Sequence, residues 1–501
     1  MDLLISLIPA IVMIILVVLT QKVILSISTG IVLGSLIAHN FNLLESFTYI
    51  LNTVWGIVTD FSWYMPIVGF LLLLGVITAY LTISGSTKAF ADWAVSKIKN
   101  RKSAQYLAWL LGIVIFIDDY FNALVIGEIS KPITDRYKIS RAKLAYIIDS
   151  TSAPVVILLP ISTWGAYVIG TLSGIFKNIG YDTYSGTAAF WHMIPMQFYA
   201  IVALIMVFLM IKFDINLFKM KTFEEHALAG DDISCAFTDD GISDIKIESN
   251  NGNKWSLIFT ILILIVAILV GMLYSANWNV REMLSVDITL PLFRASIIAT
   301  IVSFLFALST KDISAKKFVS ATIKGAYSML PASIILICAW TLVSVIGELE
   351  TGKYLAEWIT SSNINSNFLP PILFLVGSFI AFMTGTSWGT FGLLLPIAGE
   401  ILAASDPAMV LPAMAAVLSG AILGDHCSPI SDTTVLAATG AQSKLDYHFV
   451  SQLPYAIISG IIAFVGFIVF SFTKSLLISY VVIIAELILF LLVAKQLKTK
   501  N

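Results

Sequence analysis

Charge is scarce in this 501-residue chain. Lys, Arg, Asp and Glu make up 12% of it, half the roughly 25% of an ordinary soluble domain. Cysteine is scarcer still. Cys235, Cys338 and Cys427 lie far apart with no CxxC, so neither a disulfide framework nor a zinc site is indicated. The net charge of −2 argues against a nucleic-acid partner, which would favour a clustered basic face. The opening MDLLISLIPA has neither a positive n-region nor a small-residue cleavage site, so it reads as a retained first span rather than a signal peptide. What fills the chain instead is apolar: 58% of residues are hydrophobic and the mean hydropathy is +0.92. Globular cores cannot absorb that much apolar surface. The surplus must face lipid, which excludes a soluble enzyme, a disordered chain and a fibrous repeat.

Crossing about 30 Å of hydrocarbon takes about 20 apolar residues. Runs of that kind lie near 3–20, 23–38, 63–84, 142–176, 190–211, 256–274, 290–309, 326–347, 411–441, 454–473 and 476–494. The expected fold is therefore all-α and polytopic, with about 11 spans. Residues 1–213 form a first half and 256–501 a second. The polar stretch 214–255 between them reads as a solvated cytoplasmic linker with no assigned role; residues 212–255 carry nine acidic and five basic residues.

Basic residues orient the chain. Lys88, Lys97, Lys99, Arg101 and Lys102 precede the apolar stretch 104–130, and Lys131, Arg136, Lys138, Arg141 and Lys143 follow it. A single crossing would place one of these clusters outside. Entering and returning on one side keeps both in the cytoplasm, so 104–130 is predicted to be a re-entrant hairpin with its tip at Ile117-Asp118-Asp119-Tyr120. Non-helical backbone at that depth needs protein or a water-filled cavity around it. Lys22, Lys311, Lys316, Lys317, Lys324, Lys444, Lys495, Lys498 and Lys500 then also fall inside. The N-terminus is expected outside and the C-terminus in the cytoplasm.

The halves echo each other. AFADW (89–93) matches YLAEW (354–358), Phe116 matches Phe382, and Asp149 to Pro154 matches Asp425 to Pro429, at offsets of 265, 266 and 276. A second apolar stretch, 368–404, has only Lys353 nearby, which fits entry from outside. The expectation is two inverted repeats, each with a hairpin (104–130, 368–404) and a broken helix (142–176, 411–441), an architecture of secondary transporters.

An ionisable residue in a span costs about 2.5–3.5 kcal/mol on insertion scales, yet several fall at corresponding places. Asp118 and Asp119 sit at the first tip, Glu128 on its returning arm, Asp149 mid-span, and Asp425 and Asp432 around GDHCSPISD. Pro154 and Pro429 remove backbone donors and free carbonyls one turn earlier. Ser150, Thr151, Ser152, Ser428, Ser431 and Thr433 add hydroxyls. Carbonyls, hydroxyls and a carboxylate suit a hard cation such as Na⁺, and the carboxylate can take a proton instead. Competition of both ions for one carboxylate couples their movements. Plainer readings stand beside these. Asp118, Asp119 or Asp432 could cap a helix, His426 could be a hydrogen-bonded structural group, Cys427 a packing residue, and Thr384-Gly385-Thr386-Ser387 a tight turn. Trp164 and Trp388 fit ordinary packing or the lining of an organic site. Gly385-Thr386-Ser387-Trp388-Gly389 matches the hydrolase elbow GxSxG, which needs a strand–turn–helix setting. An intramembrane serine hydrolase is the rival reading from the enzyme class.

FIDDYFNALVIGEISKPITDRYKISRAKLAYIIDSTSAP (116–154) and GDHCSPISDTTVLAATGA (424–441) resemble the NhaC family of bacterial Na⁺/H⁺ antiporters, within the ion transporter superfamily. The resemblance covers both halves and implies inverted repeats with an ion and substrate site where hairpin tips meet helix breaks. Carried over by position, that site comprises Asp118, Asp119, Asp149, Ser150, Thr151, Thr384, Thr386, Asp425, Ser428 and Asp432, with Asp149 and Asp425 as Na⁺ ligands. It implies a plasma-membrane antiporter, not an enzyme, that needs no cofactor, moves Na⁺ and H⁺, and works within the lipid bilayer without nucleic acid. The family also resembles exchangers of malate, lactate and amino acids, so a small organic anion or amino acid is the alternative cargo. Analogy with the superfamily suggests a homodimer.

Overall fold

The computed structural model describes residues 3–20, 22–62, 64–95, 98–235, 248–249, 251–280, 282–283, 286–287, 289–349, 365–429 and 431–500. Among these, every regular element is a helix. Nine described helices are long and apolar enough to cross a bilayer, and Gly186–Met196 with Phe198–Phe213, bent by 46°, form a further span in two pieces. This is a multi-pass membrane protein.

Helices α1 (Leu3–Thr20), α2 (Val23–Ala38) and α4 (Tyr64–Ile83) follow the expected spans. Helix α3 (Leu43–Thr59) does not appear among those spans. Asn42 caps it by accepting from the Leu44 and Glu45 amides, and its exposed Leu43, Leu44, Phe47, Leu51 and Trp55 alternate with polar residues, which breaks the apolar run. Short α5 (Ser86–Val95) leads to the first hairpin, α6 (Arg101–Val114) and α7 (Asp119–Arg136). The broken helix is α8 (Arg141–Val156) and α9 (Thr163–Ile179), and α10 (Gly186–Met193) with α11 (Phe198–Phe213) completes the first half. After α12 (Phe218–Ala229), the second half runs through α13 (Lys254–Ser275), α14 (Thr289–Ser309), α15 (Ala315–Ser328) and α16 (Leu330–Glu348). The second hairpin is α17 (Leu369–Thr384) and α18 (Ser387–Ser405), the second broken helix α19 (Val410–His426) and α20 (Asp432–Ala441), followed by α21 (Leu445–Thr473) and α22 (Leu476–Lys500). YLAEW (354–358) and Lys353 lie outside the described residues.

Two hairpin–broken-helix units, α6–α9 and α17–α20, hold the core. Their element starts and ends recur at nearly constant spacing. Asp119 and Ser387 open the returning arms, Val156 and His426 close the first half-helices, and Ser162 and Ser431 cap the second half-helices through Gly165 and Thr434 amides. Those pairs are 268, 270 and 269 residues apart. The 276-residue pairing of Asp149 with Asp425 differs. Pro154 lies inside α8, which continues to Val156, whereas Pro429 lies in the break itself. Proline two residues from a helix end removes one bond without ending the helix, so motif similarity around it misplaces the register. The carboxylates therefore occupy different positions, Asp149 mid-helix and Asp425 at a helix end.

The units meet where α7 crosses α20. A Cβ on Gly127 would lie 2.2 Å from the Gly440 carbonyl oxygen, so only glycine permits that approach. Gly385, at φ 68, makes the left-handed turn at the second hairpin tip. The expected solvated linker is partly ordered instead. Residues 218–229 are helical, and Glu224 in that helix is buried, because Lys143 at the start of α8 and Arg101 on α6 need a counter-charge.

Candidate functional site

All sixteen residues of α8 are buried. Its polar side chains must therefore find partners inside the protein. Thr151 donates to the Ile147 carbonyl at 2.7 Å and Ser152 to the Asp149 carbonyl at 3.1 Å. Both hydroxyls thus serve their own helix, and Ser150 is buried beside them. Asp149 has no exposure, and its partners come from the second half of the chain. Gln452 Nε2 donates to Asp149 Oδ2 at 2.6 Å and to the His426 carbonyl at 3.0 Å. Thr434 donates to the same carboxylate oxygen at 3.2 Å. His448 Nε2 lies 3.4 Å from Oδ2 and His426 Nε2 lies 4.0 Å from Oδ1. Tyr199 on α11 bonds the other His426 ring nitrogen at 3.0 Å. His426 is thus hydrogen-bonded, as the structural reading anticipates, and also faces the carboxylate.

Asp425, also fully buried, ends α19 beside the second hairpin tip. Ser387, the first residue of α18, donates to Asp425 Oδ2 at 2.8 Å. Ser431 donates to Oδ1 while accepting the Thr434 amide at 3.3 Å. Ser431 thus supplies a side-chain cap of α20. Ser428 ties the break to the hairpin by donating to the Phe382 carbonyl at 2.7 Å. A continuous chain follows: Asp149, Thr434, Ser431, Asp425, Ser387. Two carboxylates from different units straddle the first turn of one short helix, where the positive end of the helix dipole favours negative charge.

Other expected site residues are placed elsewhere. Asp118 and Asp119, 2% and 1% exposed, sit at the first hairpin tip. There Thr163, which opens α9, donates to Asp118 Oδ2 at 3.1 Å and its amide donates to the Ile117 carbonyl at 2.9 Å. Thr384 donates back to the Ile380 carbonyl at 2.9 Å, and Thr386 accepts through its carbonyl from Thr390 at 3.0 Å. These two threonines shape the tip, as a tight turn requires. Asp432 opens α20; its side chain, like that of Glu128, lies outside the described residues.

Trp388 stands edge-on to Trp164 and Tyr167 at 5.6 and 4.9 Å. This aromatic group packs the second tip against α9. The GxSxG serine, Ser387, starts a helix after a helical turn and bonds Asp425 rather than a histidine. The elbow's strand is missing among the described residues.

Thr434, His448, Gln452, Tyr199 and Thr163 join the site without having been expected, whereas Ser387 already stood out in the Thr384–Ser387 loop. His448 and Gln452 sit four apart in LDYHFVSQLPYAII, just before the apolar run that begins near 454. Helix α21 starts nine residues earlier than that run, because polar side chains can be buried against α8 when they have partners there. Two polar residues at helical spacing beside a span start were the available signal.

Residues 155–472 match the Na⁺/H⁺ antiporter family. The chain is 40% identical to an uncharacterized protein of Haemophilus influenzae, covering 98% of this chain and 95% of that one. It is 28% identical to the malate-2H⁺/Na⁺-lactate antiporter of Bacillus subtilis over 41% of this chain and 43% of that one. In structure it resembles the YdaH transporter of Alcanivorax borkumensis, with a TM-score of 0.58 at 14% identity, covering 85% of this chain and 89% of that one. That last likeness concerns the fold alone.

Proposed function

The chain belongs to the Na⁺/H⁺ antiporter family, and on that premise we propose that it exchanges cytoplasmic Na⁺ for external H⁺ by alternating access across a bacterial plasma membrane. The N-terminus lies outside and the C-terminus in the cytoplasm, following the basic residues. The carrying observation is the hydrogen-bonded chain from Asp149 through Thr434 and Ser431 to Asp425.

A buried carboxylate without a compensating cation is costly. Among the described residues, the ion-pair partners of Asp149 are two imidazoles and no Lys or Arg. A transported cation can therefore neutralise it, and Na⁺ and H⁺ compete for that place. Hydroxyls of Thr434, Ser431 and Ser387 supply hard oxygen donors beside the carboxylates. Because Asp149 belongs to one unit and Thr434 to the other, filling the site acts on the relative position of the units. That is the link between occupancy and alternating access. Asp118 and Asp119 line the cytoplasmic approach, and the two hairpins gate.

Purified protein in liposomes tests this. An imposed Na⁺ gradient should change internal pH with no organic solute present. A pH change that waits for malate, lactate or an amino acid would instead establish the second reading, a coupled exchanger of small organic acids or amino acids. That reading draws on the named antiporter relative and on the Trp164–Trp388 pair at the second tip.

A further inference from the structure

The stretch after α11 begins as an acidic linker and ends as a strap across both units. Resting on the transport reading above, we propose that residues 214–235 are a cytoplasmic latch: they stay anchored to the first unit by charge and release from the second unit each time the cytoplasmic side opens.

The anchor on the first unit is ionic and buried. Glu224, 2% exposed, accepts from Arg101 at 2.6 Å, from Lys143 at 3.1 Å and from the Ser140 amide at 2.8 Å. Lys143 has no exposure and also donates to Asn216 at 2.9 Å. Asp232 accepts the Arg141 amide at 2.8 Å, and the Ser234 hydroxyl accepts the Ala142 amide at 3.1 Å. The strap therefore caps the free amides at the start of α8, the helix that carries Asp149. Taking Glu224 away would leave the buried Lys143 with only the partly exposed Asp214 carboxylate at 3.8 Å as a counter-charge, so this end holds firmly.

The attachment to the second unit and its following helix is neutral. Lys444 donates its backbone amide to the Ser234 carbonyl at 2.9 Å. Cys235 and Ser443 face each other in an antiparallel backbone bridge. Tyr455 accepts the Leu217 amide at 2.8 Å and donates to the Ile215 carbonyl at 3.1 Å. Tyr455 also stacks on Tyr146 at 4.7 Å, three residues from Gln452 and Asp149 respectively. The strap thus ties the start of α8 to the α20–α21 corner on the side of Asp149 where Thr434 and Gln452 bind. Neutral bonds to water-competent groups exchange readily for bonds to water, whereas the buried ion pairs do not. When the units separate, the break falls at Ser234, Cys235 and Tyr455.

The bridge offers a direct test. Facing residues of an antiparallel pair have Cα atoms about 4.5–5.5 Å apart, inside the range of a disulfide. In proteoliposomes, Ser443→Cys should cross-link to the native Cys235 under copper phenanthroline. Cross-linked protein should lose at least about nine-tenths of its Na⁺-driven pH change, and dithiothreitol should restore it; the wild type treated identically should be unaffected. Cross-linked protein exchanging at the reduced rate would overturn the latch. So would failure to cross-link, which is read by thiol titration and needs no cargo. A reduced protein with no Na⁺-driven pH change counts against the transport reading alone. Adding Glu224→Gln should slow cross-linking several-fold by loosening the anchored end; an unchanged rate in folded protein would overturn the assignment of that end.

Discussion

The two hairpin–broken-helix units solve the same contact with opposite chemistry. In α6–α9 the carboxylate is on the hairpin tip and the hydroxyl on the broken helix: Thr163 donates to Asp118. In α17–α20 the hydroxyl is on the tip and the carboxylate on the broken helix: Ser387 donates to Asp425. The mid-helix positions differ as well. Asp149 on α8 receives Gln452, while Ser419, 270 residues on in α19, donates to Gln197 at 3.0 Å. Backbone geometry recurs, but charge is placed once at each level. The outcome is that Asp149 and Asp425 flank the first turn of α20, while the corresponding turn of α9 holds Asp118 alone among these three. Similar scaffolds therefore hold their charges differently, and on the transport reading proposed above the second break is the chemical one.

That inequality can be tested from its strongest term downward. Asp149→Asn should abolish Na⁺-driven pH change in proteoliposomes, a loss of more than about 100-fold given several kcal/mol for a buried charge interaction. Asp118→Asn, measured alongside, should lose less. Equal losses would break the contrast between the units. Next come the two hydroxyl donors. A hydrogen bond to a charged group is worth about 1.5–3 kcal/mol, so Ser387→Ala should raise the half-saturating Na⁺ concentration about tenfold or more. Thr163→Val should change it by less than about threefold. A larger effect from Thr163→Val would move the chemical centre to the first break.

The glutamines sharpen the mid-helix comparison. Gln452→Leu removes one of the donors on Asp149 and should weaken Na⁺ about tenfold, read as the Na⁺ dependence of exchange. Gln197→Leu faces a serine and should leave that dependence within about twofold. The smallest effect concerns the tips. Gly385→Ala places a side chain at φ 68 and should cost about 1–2 kcal/mol, seen as a lower unfolding temperature in detergent. The first tip, 115–118, contains no glycine and no positive φ, so Ile117→Ala there should act only through lost packing.

Much of the scaffold is legible from residue type. Apolar runs mark most of the helices; the caps at Asn100, Ser140, Ser162 and Ser431 are local interactions too, a side-chain oxygen before an orphan amide, but the motifs do not pick them out as caps. Asp118, Asp119, Asp149 and Asp425 stand out because charge in an apolar run is conspicuous. What surrounds Asp149 is not legible. Thr434, His448 and Gln452 lie 285 to 303 residues from it, and nothing local in any of those segments names the other. Glu224 misleads in the opposite way. In a polar acidic stretch it reads as solvated, yet it is buried because Lys143 and Arg101 are brought to it from α8 and α6.

By itself the sequence determined the solvent, most of the helices, the hairpins and breaks, and the few acids that must be compensated, since each of these depends on a residue and its near neighbours. Tertiary structure alone decided that Asp149 and Asp425 share one helix turn, that two histidines and a glutamine face one carboxylate, and that an acidic linker straps the units together. Those are pairings between helices far apart in the chain, and they follow from how whole faces pack and which buried charges find partners there.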